Sequence, residues 1–235
     1  MSQIYFIRHG QASAGEANYD KLSTKGEEQS SILGQFLSSK GIQFDKIFTG
    51  PLERQVNTCA IAGSHFESIH FPKPMILDGL KEHHGFRAMK KVLPDLVNTN
   101  LQVKYWVDEM NDKPELAHKN GMRIFKLFME GWTSGKIMVP EVQTWIDFRT
   151  EVKKALHLLL DEVKKGENAA VFTSGGTISA IMAEALSIKD DTKIASLNYS
   201  LKNTSISNFF YSANEFNLGS FNETPHLPEE MITFV

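Results

Sequence analysis

The sequence predicts an α/β fold, a three-layer sandwich in which helices flank a mostly parallel sheet. Short apolar runs rich in β-branched and aromatic residues recur along the chain, as expected for buried strands. Within the first 65 residues, two such runs alternate with two segments of helical pattern. Strands that alternate with helices are typical of a parallel sheet with crossover helices.

The first strand ends at Arg8, and small polar residues then predict a loop over residues 11–21. A capping box over residues 24–27 predicts the start of the first helix, and Gly41 is placed where a glycine commonly follows a helix. Residues 46–49 predict the second strand, and a helix is expected from about residue 52 to 62.

Residues 75–86 predict a short strand that runs into a polar loop, after which the pattern changes. The next stretch is rich in aromatic residues and methionine and has no strand pattern. We interpret residues 87–140 as a helical insertion packed over the sheet, because no Pro/Gly/Ser-rich boundary flanks it. Residues 1–235 are therefore predicted to form a single domain, with two domains as the alternative.

The last third of the chain completes the predicted sheet. An apolar helical face over residues 152–163 precedes a buried strand at residues 169–173, and Ser174 leads from that strand into a further helix. Residues 205–211 and 216–221 then alternate in polarity like two strands. We expect these two strands to pair in antiparallel fashion near a sheet edge.

Composition limits the classes of partner and location. A net charge of −3 and a pI near 6.2 give no electrostatic reason to expect nucleic acid or an anionic membrane surface as a partner. Cys59 is the only cysteine, so an intrachain disulfide is excluded and a reducing compartment is expected. Because we find neither a signal-peptide pattern nor a long apolar span, we expect a cytoplasmic protein.

Reactive side chains occur where the predicted strands end. Arg8 and His9 follow the first strand, and Arg54 lies in the first turn of the helix after the second. Glu82 follows the third strand, and Ser174 follows the fourth. Because the carboxyl ends of parallel strands face one crevice, we expect these side chains to converge. Two arginines and a helix N-terminus suit a phosphate, and a carboxylic acid can protonate a leaving alkoxide.

Most of these residues also have an ordinary structural explanation. Arg54 is compatible with a solvated helix surface, Glu82 with an exposed loop and Ser174 with a helix N-cap. The adjacent pair His83 and His84 does not predict a metal site, because neighbouring side chains point apart and no third ligand is suitably spaced. We expect neither a metal nor another cofactor.

Six motifs occur in order along the chain. They are Arg8-His9-Gly10-Gln11, followed by motifs within residues 19–26, 50–58, 80–85, 171–176 and 203–205. This set resembles the histidine phosphatase superfamily, the phosphoglycerate mutase-like proteins. The resemblance implies that His9 is a nucleophile that becomes phosphorylated and that Glu82 exchanges protons with the leaving group and water. It also implies that Arg8, Arg54, Ser174 and Gly175 bind the phosphate.

The sequence departs from the family pattern at one position. The family usually has a histidine after the fourth strand, where this chain has Ser174. Loss of one charge-assisted donor to a transition state costs about 2 to 4 kcal/mol, or roughly 10² to 10³ in rate. We therefore expect a weakened phosphomonoester hydrolase acting on a small phosphorylated substrate. A phosphoglycerate-mutase-type phosphomutase and a non-catalytic phospho-ligand-binding protein are the alternatives, and the substrate and oligomeric state stay open.

Overall fold

A computed structural model describes residues 1–13, 20–66, 70–212 and 215–234. Six strands occur in these residues: β1 Ser2–Arg8, β2 Lys46–Thr49, β3 Met75–Ile76, β4 Asn168–Thr173, β5 Ile206–Ser212 and β6 Glu215–Glu223. They form one sheet in the order β3-β2-β4-β1-β5-β6. Strands β1 to β4 are parallel, whereas β5 and β6 are antiparallel at one edge. The α/β fold class and the antiparallel pair are confirmed.

Eight α-helices lie within the described part of the chain. They are α1 Thr24–Ser39, α2 Glu53–Gly63, α3 Gly85–Thr99, α4 Leu101–Asp112, α5 Ala117–Thr133, α6 Trp145–Glu162, α7 Gly175–Leu186 and α8 Asp191–Leu197. Helices α3 to α5 occupy the predicted insertion. In the same described residues, no helix combines the length and apolarity needed to span a membrane.

The sheet lies between two buried clusters, because successive side chains of a strand point to opposite faces. Ile7 and Phe172 belong to the cluster that α1 and α2 cover. Phe6 and Val171 belong to the larger cluster on the other face, which includes α6 and α7. Phe128 of the insertion is fully buried in this second cluster. The insertion therefore shares a hydrophobic core with the sheet.

Two helices begin at residues other than those predicted, and in both the N-cap residue explains the difference. Helix α1 is capped by Ser23, whose Oγ accepts a hydrogen bond from Gly26 N at 3.0 Å, so the capping box predicted over residues 24–27 was wrong by one residue. Helix α6 begins at Trp145, before its predicted apolar face, because Thr144 caps it. Helix α8 was not predicted. Most of the loop predicted over residues 11–21 lies outside the described residues.

Candidate active site

The carboxyl ends of β1 and β4 lie side by side. Arg8 is in register with Thr173, and His9 N donates to Thr173 O at 2.9 Å. A pocket of about 290 Å³ lies beyond this edge of the sheet. Among the described residues, its lining includes Arg8, His9, Arg54 and Glu82, whereas Ser174 and Gly175 are not part of it. Four of the six predicted site residues are thus brought to one pocket.

His9 is a buried, neutral imidazole with a defined tautomer. Its Nδ1 lies 2.7 Å from Gly10 O, which can only accept, so the proton is on Nδ1. Arg54 Nε donates to His9 Nε2 at 3.0 Å, so the lone pair is on Nε2. Burial, and then the charges of Arg54 and Arg8, hold the pKa of His9 well below its ordinary value. Nε2 therefore carries a lone pair at neutral pH, beside an arginine.

Arg54 is buried, so the alternative explanation, a solvated residue on the helix surface, does not apply. Its Nη1 donates to Asp20 Oδ1 at 2.6 Å, and Asp20 Oδ2 accepts a hydrogen bond from Glu53 N at 2.9 Å. Asp20 thus bridges the Arg54 guanidinium and the backbone of the first turn of α2. This carboxylate was missed in the sequence, where no local signal links it to a residue 34 positions away.

Arg8 and the end of β1 form hydrogen bonds with distant segments of the chain. Arg8 Nη1 donates to Leu201 O and, at 2.5 Å, to Phe234 O. Asn203 Nδ2 donates to His9 O at 3.1 Å, and Asn203 also lines the pocket. The motif at residues 203–205 was noticed in the sequence, but no role was assigned to Asn203. These contacts hold Arg8 and the backbone of His9 in place.

Glu82 lies at the amino end of α7 and is not an exposed loop acid. Its Oε2 accepts from Gly176 N at 3.1 Å, and its Oε1 accepts from His83 N at 2.9 Å. A Cβ placed on Gly176 would lie 2.1 Å from Glu82 Oε1, so only glycine permits this approach. Helix α7 therefore positions the acid that lines the pocket.

His83 supports Glu82 from the core side. Its ring is buried and lies 5.4 to 5.8 Å, centroid to centroid, from the rings of Trp132, Trp145 and Phe148. Nδ1 accepts from Gly85 N at 3.1 Å, and Nε2 lies 3.5 Å from Glu82 Oε1. Local sequence gave no indication of this role, since it depends on α5 and α6. No metal-binding group of three or more His, Cys, Asp or Glu side chains occurs among the residues that the structure describes.

Ser174 is fully buried and bonded to a side chain of α2. Its Oγ accepts from Gln55 Nε2 at 2.8 Å, and Gln55 Nε2 also donates to Leu80 O at 3.0 Å. Ser174 stands at the N-cap position of α7, but its side chain does not cap the helix, contrary to the structural alternative. A Cβ on the neighbouring Gly175 would lie 2.0 Å from Asn198 Oδ1 and 3.4 Å from Arg8 Nε. Gly175 thus leaves room for the Asn198 side chain at the amino end of α7, and Arg8 lies next to the same end.

A comparison with protein-family models matches nearly the whole chain. Residues 4–115 and 115–224 match the model described as "Histidine phosphatase superfamily (branch 1)". This agrees with the resemblance carried by the ordered motifs. The match includes the strand ends that carry Arg8, His9, Arg54, Glu82 and Ser174.

Two relatives match more restricted parts of the chain. A broad-specificity phosphatase of Saccharomyces cerevisiae is 33% identical over 91 residues, which cover 35% of this chain and 38% of that protein. A 2,3-bisphosphoglycerate-dependent phosphoglycerate mutase of Neisseria meningitidis is 26% identical over 125 residues, or 50% of this chain and 55% of that protein. Each match thus spans about half or less of the relative's length.

A solved structure shares the fold over almost the full chain. A mutant phosphoserine phosphatase from Entamoeba histolytica, in complex with phosphoserine, superposes with a TM-score of 0.61 and 21% sequence identity. The superposition covers 97% of this chain and 100% of that one. At this identity the likeness establishes the common α/β architecture.

Proposed function

The chain belongs to the histidine phosphatase superfamily, and we propose that it is a phosphomonoester hydrolase that works through a phosphohistidine on His9. The observation that carries the proposal is the neutral imidazole, whose Nε2 lone pair lies beside Arg54 within the pocket. Nucleophilic imidazole must be unprotonated, and the lowered pKa of His9 meets this requirement at neutral pH.

In the first step, His9 Nε2 attacks the phosphorus of the bound monoester. An incoming phosphoryl group competes with Nε2 for the Arg54 N–H, which frees the lone pair for attack. The N–P bond forms as the ester P–O bond breaks, and Glu82 gives a proton to the departing alkoxide. Arg8 and Arg54 bind the equatorial oxygens, where the negative charge is spread in the transition state.

In the second step, water releases the phosphate. Glu82, now a carboxylate, takes a proton from the attacking water, the new P–O bond forms, and the N–P bond breaks. Inorganic phosphate leaves, and His9 returns to its neutral form with the proton on Nδ1. The two arginines supply the positive charge in both steps, so the proposed reaction requires no metal ion.

Ser174 and Gly175 take part through the amino end of α7. The helix N-terminus carries partial positive charge and lies next to Arg8, and we assign the phosphate-binding role of both residues to this end of the helix. Its hydrogen bond with Gln55 makes Ser174 a neutral support rather than a charged ligand. The proposed enzyme is therefore slower than one with a second histidine, by roughly 10² to 10³ in rate.

The test is to trap the intermediate while activity is measured. The wild-type protein, incubated with 4-nitrophenyl phosphate and quenched with base, is expected to carry acid-labile phosphate on His9 by mass spectrometry. His9→Ala is expected to lose about 10³-fold or more in phosphate release and to carry no label. The exposed His157 offers a matched control, and His157→Ala is expected to retain wild-type activity.

Other outcomes separate the alternatives. Equal phosphate release by the wild type and His9→Ala, or none from either protein at any pH, contradicts a phosphatase that uses His9. Interconversion of phosphoglycerate isomers without net release of phosphate would identify a phosphomutase. Binding of a phosphate ester without label on His9 would identify a non-catalytic binding protein.

A further inference from the structure

Part of the pocket lining is aromatic. Phe86, at the start of α3, stacks on Phe125 of α5 with centroids 4.3 Å apart and ring planes within 7°. Phe125 also meets Tyr199 edge to face at 6.3 Å. Met122 and Phe234 line the same pocket. These five residues define what we call the aromatic wall.

From this wall we propose that the preferred substrates are phosphate monoesters whose alcohol carries an aromatic or extended apolar group. The inference rests on the proposed function and adds the substrate class. Phe86 lines the pocket and is 50% exposed, so about half of this large apolar side chain is not covered by the protein. Ligand sites commonly pair such a surface with a few polar groups that fix orientation. In this pocket the polar groups are those proposed to bind the phosphate, namely Arg8, His9 and Arg54.

A second acidic group on the substrate is the competing possibility, and the charges of the pocket disfavour it. Lys81 also lines the pocket, but its Nζ lies 2.6 Å from Asp78 Oδ2 and 3.8 Å from Glu151 Oε2, so two carboxylates already offset its charge. Among the lining residues that the structure describes, Arg87 is the remaining arginine or lysine besides Arg8 and Arg54, and it is exposed. A solvated arginine contributes less to affinity than a buried one.

The size of the pocket agrees with a small ester. A volume of about 290 Å³ is at the low end of the range that small-molecule sites occupy, roughly 300 to 1,000 Å³. The volume exceeds what a phosphoryl group alone requires, so part of the alcohol is enclosed. Burial of one phenyl ring against the wall is expected to favour an ester by about 10- to 100-fold.

The experiment compares esters with leaving groups of similar acidity. We expect kcat/KM for 3-phenylpropyl phosphate to exceed that for n-propyl phosphate by about 10- to 100-fold, and also to exceed that for 3-phosphoglycerate. In Phe86→Ala, the ratio between the first two esters is expected to fall about tenfold. Tyr105 of α4 is similarly exposed and lies outside the pocket lining, so Tyr105→Ala is expected to keep the wild-type ratio.

Several results would overturn the inference. These are a ratio near one in the wild type, an unchanged ratio in Phe86→Ala, or a preference for 3-phosphoglycerate that Arg87→Gln removes. Calorimetric titration with 4-phenylbutylphosphonate and butylphosphonate, which are not hydrolysed, measures the same preference without turnover. If the phenyl compound binds preferentially but no ester is hydrolysed, the result would contradict the proposed function and support the proposed role of the aromatic wall in binding. If esters are hydrolysed but both phosphonates bind equally well, the result would contradict the proposed substrate preference and leave the proposed function intact.

Discussion

The neighbouring ends of β1 and β4 differ in charge although their backbones match. Both strands end at the same level of the sheet, and each continues into a polar residue followed by glycine. At the end of β1, His9 contacts the charged Arg54. At the end of β4, Ser174 contacts the neutral Gln55. The two partners are successive residues of α2, which therefore serves both strand ends.

The two strand ends therefore have different roles: the end of β1 carries the reactive imidazole, and the end of β4 supports the surrounding structure. Arg54 and Arg8 act directly on the ionisation of His9, whereas the Gln55–Ser174 bond joins α2 to the start of α7 without any charge. Replacement of a histidine by serine at the second strand end thus removes charge but keeps the two helices connected. Substitutions at each end are expected to have effects of different kinds.

The largest expected effect concerns Glu82, which reaches the pocket from the β4 side. Glu82→Gln keeps the shape and removes proton exchange, so kcat for an alkyl phosphate is expected to fall about 10²- to 10⁴-fold. The loss is expected to be much smaller for 4-nitrophenyl phosphate, whose leaving group needs little protonation. Steady-state rates on the two esters check this, with Glu162→Gln, at an exposed position of α6 outside the pocket lining, as a control. An equal loss on both esters would contradict a role in protonation.

Arg54→Gln tests the charged partner at the β1 end. Loss of the guanidinium is expected to lower kcat/KM about 10²- to 10³-fold. Because Arg54 lowers the pKa of His9, the variant should also move the acidic limb of the pH–rate profile to higher pH. Arg123→Gln, at an exposed position of α5, is the matched control. An unshifted acidic limb would show that Arg54 does not govern the ionisation of His9.

Ser174→His tests whether the β4 end can regain charge. The site is fully buried and already bonded to Gln55, so the larger ring is expected to cost about 1 to 3 kcal/mol in unfolding free energy and not to raise kcat. Chemical denaturation and phosphatase assays check both expectations. Ser174→Ala, which removes only the hydroxyl, is expected to cost about 1 kcal/mol. A gain in turnover for Ser174→His would show that a histidine ring fits at this position despite the hydrogen bond between Ser174 and Gln55.

The smallest expected effect is the pH dependence of stability. The pKa of His9 is lowered in the folded protein, so below about pH 6.5 the unfolded chain binds more protons and the unfolding free energy falls with falling pH. His9→Gln is expected to reduce this slope by up to about 1.4 kcal/mol per pH unit, whereas Ser174→Ala should leave it unchanged.

The remaining acid sensitivity has a separate source. Burial lowers the pKa of His226 to about 4. Like His9, this group therefore lowers the unfolding free energy as the pH falls below about 6.5. Denaturant titrations of His9→Gln at several pH values should therefore keep part of the wild-type slope. Equal slopes in the wild type and His9→Gln would contradict the lowered pKa.

The sequence was sufficient to predict the features that depend on neighbouring residues. Apolar runs located the strands, and the strand ends located His9, Arg54 and Glu82 because parallel strands share an edge. Asp20 and Gln55 were missed, since their contacts with Arg54 and Ser174 join residues 34 and 119 positions apart. Two adjacent cap-forming residues, Ser23 and Thr24, explain the error of one residue at the start of α1.

The position of β1 within the sheet has a consequence for the order of folding. Its partners are β4 and β5, so Gln3 pairs with Asn168 and Ser2 pairs with Tyr211. On a ribosome, this apolar strand is made before both of its partners and stays unpaired until β4 and β5 have been synthesised. The imidazole of His9 therefore gains its surroundings only when the last strands have been added. Recovery of activity during refolding is expected to lag behind formation of α1 and α2.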